Sequence, residues 1–225
     1  MDAPMLGVTV LGTIATVSTT NPVRYYNLKP LTFAPRLGGW LFRQRTWLPL
    51  PLVAALLLIP PTPDASGASL WVAGALIVSA GEALRLWAVH HIGAISRTRS
   101  DRLGPLISSG PFAFVRNPLY LGNILLWTGF AISAQLAWIA PIIVVLLALE
   151  YHAIVRWEEG LLTERIGEPY ARYVGTVPRW LPTFQATARG PINARFSWRQ
   201  TLFSERGTLI AIGVGFLLLW LKARF

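Results

Sequence analysis

The feature of this sequence that most constrains its fold is a run of 33 residues, 117–149, without a charged side chain. An α-helix rises 1.5 Å per residue and needs about 20 apolar residues to cross a bilayer. The run is therefore too long for one span, and a little short for two unless the second helix continues beyond it. Gly129, Ser133 and Gln135 offer a turn, and residues 151–155 can extend the second helix. The run predicts a tight hairpin of two membrane helices.

Further apolar stretches predict additional spans. Residues 46–63 read as a short span, kinked by its prolines and stopped at Pro60 and Pro61. Residues 69–91 form a second span, and 208–221 form either a fifth span or a re-entrant helix. The stretch 3–23 is uncharged but rich in Thr and Ser, so an interfacial helix and a poor first span are both open. The expected fold class is all-α: a polytopic integral membrane bundle of about five transmembrane helices in a single domain, 1–225.

Charge supports a membrane protein and gives its orientation. Only 13% of residues are charged, against about 25% in soluble domains. The net charge is +10, and the basic residues concentrate in 24–45, 97–116 and 156–206, outside the predicted spans. The positive-inside rule places these segments in the cytoplasm, which suits a bacterial-type inner membrane or its equivalent. No nucleic-acid motif accompanies the basic residues, and the absence of cysteine excludes disulfides and thiolate metal sites.

Ionisable side chains inside the second span need an explanation. Glu82 and Arg85 are three residues apart and share a helix face. They either line a polar cavity or form a neutralising pair that only holds helices together. His90 and His91 are adjacent, so their rings diverge on a helix and cannot easily bind one metal ion. The sequence predicts no metal site, and His90 is either a plain interfacial histidine or a substrate-facing one.

The first stretch with chemical content is GPFAFVRNPLYLG, residues 110–122. Asn117 and Pro118 predict the N-terminus of a helix, with an asparagine cap and proline at the first position. Helix N-termini attract carboxylates, and Arg116 adds a cation beside this one. Tyr120 offers a ring for stacking, and Gly122 leaves room for a ligand. The alternative is a well-capped helix at the membrane surface.

The second stretch begins with Glu158 and Glu159 at the end of the second hairpin helix. Gly167 is expected to stop that helix, and Tyr170 and Tyr173 share one face of the next. The two prolines of VPRWLP, residues 177–182, then favour an extended segment. Such a segment can clamp a flat ring, or it can merely cover a helix bundle.

Together the motifs resemble the isoprenylcysteine carboxyl methyltransferase family and, more broadly, the membrane methyltransferases that include the phospholipid N-methyltransferases. The resemblance covers about 75 residues: GPFAFVRNPLYLG, EEGLL (158–162), GEPYARY (167–173) and VPRWLP, in that order around the hairpin. In two respects the chain departs from this pattern. Position 117 is Asn where better-known members carry His, and the chain continues about 40 residues past Pro182, where shorter relatives end.

The resemblance implies a methyltransferase with S-adenosylmethionine as donor, bound at the cytoplasmic side, and a lipidic or amphiphilic acceptor that arrives through the membrane lipids. The methylated atom, O, N or S, and the oligomeric state stay open. Two other functions are also open: a steroid-reductase-type enzyme with a nicotinamide cofactor, and a non-enzymatic scaffold. The expected site residues are Arg116 and Glu159 for catalysis; Asn117, Tyr120, Gly122, Glu158, Tyr170, Tyr173, Pro178 and Arg179 for the cofactor; and Trp87 and His90 for the substrate.

A tight hairpin also makes a geometric prediction. It returns its second helix to the membrane face where the first began, so Arg116 and Glu159 should meet in one ligand-sized pocket. We expect Arg116 to face a carboxylate and Glu159 to face a cationic or hydroxyl group.

Overall fold

The structure is a computed structural model, and it describes residues 33–62, 67–93, 106–183 and 196–224. Within these ranges the regular structure is helical, which confirms the predicted all-α class. A short 3₁₀ helix, Gly110–Ala113, precedes the hairpin. The α-helices are α1 (Phe33–Gln44), α2 (Leu50–Leu58), α3 (Gly67–Ile92), α4 (Pro118–Ser133), α5 (Ala140–Ile166), α6 (Glu168–Thr176) and α7 (Trp198–Lys222).

Three of the described helices, α3, α5 and α7, are long and apolar enough to cross a membrane, and α4 is a shorter apolar helix of 16 residues. The chain is thus an integral membrane protein, as predicted. The predicted span 46–63 is shorter than expected, because only the nine residues of α2 are helical there. At 1.5 Å per residue, α2 covers roughly 14 Å, about half of a bilayer core. Its last residue is followed by extended backbone at Ile59, as proline at position 60 favours. The stretch 3–23 lies outside the described residues.

The hairpin is present, with its turn at residues 134–139. Gln135 adopts a positive φ of 61°, and Leu136 is fully buried beneath the turn. Gly129, expected in the turn, lies inside α4 instead. The second hairpin helix, α5, runs well past residue 155 and ends at Gly167, whose φ is 67°. This extra length carries Glu158 and Glu159 on a rigid helix.

Small residues let α3 and α4 pack in close contact. A methyl group on Gly81 would lie 2.8 Å from the Gly122 carbonyl oxygen, and one on Gly129 would lie 2.7 Å from that of Gly74. Such distances require glycine, and small residues are the usual means of close helix approach in membranes. The backbones of α3 and α4 are thereby held side by side.

A buried polar network centred on Arg85 joins α7 to this pair of helices. Arg85 Nε donates to Glu82 at 3.3 Å, and Nη2 donates to the Thr208 hydroxyl at 3.2 Å. The guanidinium also donates to Asn123 of α4 and to Glu205 of α7. The helix predicted at 208–221 begins earlier, at Trp198, behind a capping box made by Ser197 and Gln200. The pair Glu82–Arg85 therefore holds helices together, as one of its two interpretations proposed.

On the other side of the hairpin, α1 crosses α5. Gly38 lies against the Ala153 backbone, and the Phe42 ring packs on Trp157 with 5.0 Å between centroids. The described residues belong to one compact unit, Leu31–Phe225. The prediction of a single domain over 1–225 includes residues outside the described ranges and stays a prediction.

Candidate active site

The site lies at the open end of the hairpin, where α4 begins and α5 ends. Arg116 lies two residues before α4, next to its N-cap Asn117, and Glu159 lies two turns from the end of α5. The Arg116 Nη1 atom is 3.0 Å from Glu159 Oε1, and the two side chains are only 10% and 14% exposed. The structure thus brings together the two residues that the hairpin topology predicted to meet. In this structure the two side chains form an ion pair with each other.

A second arginine completes this charged group. Arg179 donates to both oxygens of Glu159, from Nε at 3.1 Å and from Nη2 at 2.5 Å. Such a two-point contact fixes the carboxylate in position and orientation. Glu159 therefore lies between two guanidinium groups, one from the stretch 110–122 and one from the stretch 177–182.

The segment that carries Arg179 is tied to the start of α4 by its backbone. The Arg116 N–H donates to the Pro178 carbonyl at 2.9 Å, and the Thr183 N–H donates to the Phe114 carbonyl at 2.9 Å. Asn117 Nδ2 donates to the Arg179 carbonyl at 3.1 Å. Asn117 is the N-cap residue by position, as predicted, but its side chain makes no capping hydrogen bond. It holds the 177–182 segment instead.

The second acidic residue has a partner of its own. The Tyr120 hydroxyl donates to Glu158 Oε1 at 3.0 Å, and the Tyr120 ring packs on Tyr151 with centroids 4.7 Å apart. Since Tyr120 is on α4 and Glu158 is on α5, this hydrogen bond is a second link between the two hairpin helices, next to the Arg116–Glu159 ion pair.

The two tyrosines of α6 form the wall behind the charged group. Tyr170 and Tyr173 are buried and share a small apolar cluster with Val177. The Tyr173 hydroxyl donates to the Phe112 carbonyl at 2.8 Å. Burial raises the pKa of both phenols above the usual value of about 10, which keeps them neutral hydrogen-bond donors. Tyr173 is therefore engaged in packing, and Tyr170 lies beside Arg116.

Three expected site residues lie elsewhere or have other partners. Gly122 does not leave room for a ligand, because a methyl group there would lie 2.5 Å from Arg85 Cγ in α3. Trp87 is 39% exposed, and its ring lies 6.0 Å from that of Phe114, next to the first motif. His90 stacks on Trp198 at 4.2 Å and is 3.3 Å from the Thr201 hydroxyl, so it contacts α7.

Sequence reasoning missed two polar residues of the Arg85 network, Asn123 and Glu205. An arginine at membrane depth requires anionic or amide partners, so a search for these on the other helices could have found both. In the part of the chain that the structure describes, no group of three or more His, Cys, Asp or Glu side chains could hold a metal ion.

The charged side chains of this site have the features expected for binding a zwitterionic ligand. Arg116 Nε is buried without a hydrogen-bond partner among the described residues, so it has capacity for an anionic group. Glu158 and Glu159 can accept from an ammonium or from hydroxyl groups. Cations and carboxylates within one partly buried group suit a molecule that carries both an amine and a carboxylate.

Comparison with known proteins links this site to a family. Residues 69–168 match the family model of phospholipid methyltransferases. The matched segment runs from α3 through α5 and includes Arg116, Glu158 and Glu159. The resemblance predicted from the motifs is confirmed over that segment, and it supports a membrane methyltransferase in general.

Two relatives carry names from metal resistance. The chain is 26% identical over 163 residues to the nickel-cobalt-cadmium resistance protein NccN of Alcaligenes xylosoxydans xylosoxydans. The aligned region covers 69% of this chain and 73% of that protein. The chain is also 28% identical over 109 residues to the cobalt-zinc-cadmium resistance protein CzcN of Cupriavidus metallidurans. That aligned region covers 48% of this chain and 47% of that protein. No solved structure matches the chain.

Proposed function

We propose, from the match of residues 69–168 to the phospholipid methyltransferases, that this integral membrane protein is a methyltransferase that uses S-adenosylmethionine. The acceptor is a lipidic or amphiphilic molecule, and the site faces the cytoplasm. The single observation that carries the proposal is the group of three charged side chains, Arg116, Glu159 and Arg179, at the open end of the hairpin. Arg116 and Glu159 lie within the matched segment, and Arg179 follows it.

The chemistry of the donor set fits this cofactor. S-adenosylmethionine has a carboxylate, an ammonium group, ribose hydroxyls and a flat adenine ring. Arg116, through its unpartnered buried Nε, would hold the carboxylate. Glu159 and Glu158 would accept from the ammonium and the hydroxyls. When bound, the cofactor supplies an activated methyl group on a sulfonium sulfur.

The chain's own residues then have three tasks: binding, orientation and exclusion of water. Methyl transfer is an in-line displacement that requires no covalent nucleophile, so accurate positioning accounts for much of the rate. Tyr170 and Tyr173 exclude water behind the charged group, and the hydrogen bonds of residues 177–183 to the start of α4 fix Arg179. Arg116, through its Nε, and the two glutamates would hold the ligand beside the Arg116–Glu159 ion pair.

Charge and hydropathy support the orientation and the acceptor class. The site end of the hairpin adjoins the segments 97–116 and 156–206, which carry most of the basic residues outside the N-terminal region. The positive-inside rule therefore favours a cytoplasmic site. The surrounding helices expose large apolar side chains such as Leu146 and Leu149 of α5, so an acceptor can approach through the lipid.

The alternatives make different demands on the site. A steroid-reductase-type enzyme would bind a nicotinamide cofactor, and the family match favours methyl transfer over that reaction. A scaffold would not need a buried arginine atom without a partner. The names of the two relatives concern metal resistance, and methylation of a membrane component is compatible with a role in that setting.

Calorimetric titration tests the proposal. The full chain, purified in detergent or in nanodiscs, is titrated with S-adenosylhomocysteine and, separately, with NADPH. We expect saturable binding of S-adenosylhomocysteine and none of NADPH. Binding of NADPH alone would establish the reductase alternative, and binding of neither ligand would favour the scaffold.

A further inference from the structure

We propose that the outer face of α1 is a docking surface for the head groups of anionic phospholipids, and that this contact holds α1 against the candidate active site. The surface consists of Arg36, Trp40 and Arg43. A lipid on this surface is a bound ligand and not the acceptor of the methyl group. The docking surface does not depend on the proposed function, whereas its effect on donor binding rests on that function.

The exposed face of α1 combines cations with an aromatic ring. Arg36, Trp40 and Arg43 are spaced i, i+4 and i+7, so they share one face of the helix, and all three are exposed. Neither arginine forms an ion pair with an acidic residue that the structure describes. The whole stretch 33–62 contains no acidic residue. Within the described part of the chain, the two guanidinium groups beside this indole therefore have no anionic partner.

The packing of α1 places this face at the membrane surface. On its inner side, Gly38 packs against the Ala153 carbonyl of α5, and a methyl group on Gly39 would lie 3.0 Å from the indole nitrogen of Trp157. Ala153 and Trp157 lie on either side of Arg156, where charged residues become frequent along α5. After α1, a turn of five residues leads into α2, which is wholly apolar. The helix α1 thus lies at the level where both neighbouring helices leave the bilayer core.

The chemistry of this surface favours anionic lipid head groups. Guanidinium groups bind phosphate through paired N–H donors, and tryptophan is enriched at the level of the head groups. Basic residues beside a membrane are attracted to lipids of net negative charge. A zwitterionic head group would also bring its ammonium group close to Arg36 and Arg43, and an anionic one would not. The surface should therefore select anionic phospholipids over zwitterionic ones.

The other side of α1 connects this surface to the site. Arg45, in the turn after α1, lies over the Phe42 ring at 4.2 Å, and Phe42 packs on Trp157. Trp157 immediately precedes Glu158, and Arg45 interacts electrostatically with Glu158 and with its partner Tyr120. The position of α1 therefore sets where the charge of Arg45 lies relative to Glu158, which the proposed function assigns to the donor. A lipid bound to the outer face keeps that charge in place.

Retention of lipid tests the docking surface. The full chain in detergent is incubated with equal amounts of phosphatidylglycerol and phosphatidylcholine, and the lipids that stay bound are counted by native mass spectrometry. We expect the wild type to prefer phosphatidylglycerol, and Arg36→Gln/Arg43→Gln to lower that preference at least about tenfold. The matched control is Arg165→Gln/Arg172→Gln, which removes the same charge from exposed positions of α5 and α6 and should keep the preference.

Two results would overturn the docking surface. One is a wild type without preference for phosphatidylglycerol. The other is an equal preference in the two double variants, since a lipid held in the acceptor site, or attracted by net charge alone, would not distinguish them.

Donor affinity tests the effect on the site. The dissociation constant of S-adenosylhomocysteine is measured in nanodiscs of phosphatidylcholine alone and of an equal mixture with phosphatidylglycerol. We expect binding about fivefold tighter in the mixed discs for the wild type and the control, and no difference for Arg36→Gln/Arg43→Gln. Equal wild-type affinities in the two discs would overturn the effect on the site. A wild type that binds no S-adenosylhomocysteine in either disc would overturn the proposed function and this effect with it, whereas retained lipid decides the docking surface in every case.

Discussion

The Arg116 guanidinium lies 3.0 Å from the Glu159 carboxylate, although the whole α4–α5 hairpin separates the two residues in sequence. Glu159 also accepts two bonds from Arg179, so one carboxylate orders two arginines that belong to different segments. This relationship makes Glu159 the organising residue of the site, with both arginines positioned by it.

Replacement of Glu159 by glutamine should weaken S-adenosylhomocysteine binding by about 10- to 100-fold. Charge-assisted hydrogen bonds contribute about 1.5–3 kcal/mol, and the variant loses the charge that orders Arg116 and Arg179. The dissociation constant is measured by calorimetry. Glu168→Gln is the control, because Glu168 pairs with Arg172 on the exposed face of α6, with side chains 64% and 69% exposed. Exposed pairs contribute little, so its affinity should stay within about twofold. Equal affinities in both variants would remove Glu159 from the site.

Substitution of Asn117 distinguishes a capping role from a positioning role. Asn117 Nδ2 donates to the Arg179 carbonyl, and aspartate has no such donor. If the positioning role is correct, Asn117→Asp and Asn117→Ala should both weaken S-adenosylhomocysteine binding by about fivefold, since a neutral hydrogen bond contributes about 1 kcal/mol. A helix cap would instead tolerate Asp and lose stability with Ala. Full affinity in Asn117→Asp would contradict the positioning role.

Loss of the Tyr120 hydroxyl should destabilise the hairpin. In Tyr120→Phe, Glu158 Oε1 loses its donor, and an unsatisfied buried group costs about 1–3 kcal/mol. The free energy of unfolding in detergent should fall by that amount. Thr176→Val is the control, since Thr176 is exposed and its hydroxyl bonds only within its own helix, so its effect should be within about 0.5 kcal/mol. Unchanged stability in Tyr120→Phe would mean that water replaces the hydroxyl.

Gly122 should be a packing residue and not a ligand-lining one. Gly122→Ala places a methyl group 2.5 Å from Arg85 Cγ and 2.8 Å from the Gly81 carbonyl oxygen, so α3 and α4 must move apart. The melting temperature should fall by several degrees. Gly213→Ala, in open space on α7, should leave it unchanged or raise it, because alanine favours helix. A Gly122→Ala protein that melts normally but no longer binds S-adenosylhomocysteine would restore the ligand-lining interpretation.

The hairpin and the Arg116–Glu159 contact could be predicted from the sequence because both depend on the length of an uncharged run. A charge-free run of fixed length leaves few alternatives to a hairpin, and a hairpin necessarily brings the residues before its first helix near those at the end of its second. The Arg116–Glu159 contact follows from that topology alone. The position of Arg179 was harder to predict, because the extended segment that carries it is held in place by tertiary hydrogen bonds.

Other features depend on packing that a single sequence does not encode locally. Asn117 had the right position for a helix cap, but a tertiary partner at the Arg179 carbonyl competes successfully for its side chain. Gly122 and Gly129 looked like a ligand space and a turn, whereas both serve the close approach of α3 and α4. The stretch 46–63 was apolar enough for a span, but its flanking prolines limit the helix to nine residues. For Asn117 and the two glycines a neighbouring element decided the outcome, whereas the length of α2 was decided by the prolines of its own stretch.

Transfer of a tritiated methyl group from S-adenosylmethionine to membrane lipid extract tests the central claim most directly. Wild-type protein, Glu159→Gln and Glu168→Gln are assayed in nanodiscs under identical conditions, and label in the lipid phase is counted. The account predicts that wild type and Glu168→Gln incorporate label at similar rates and that Glu159→Gln is at least about tenfold slower. Label that does not exceed a protein-free control with wild type, or equal incorporation by wild type and Glu159→Gln, would contradict it.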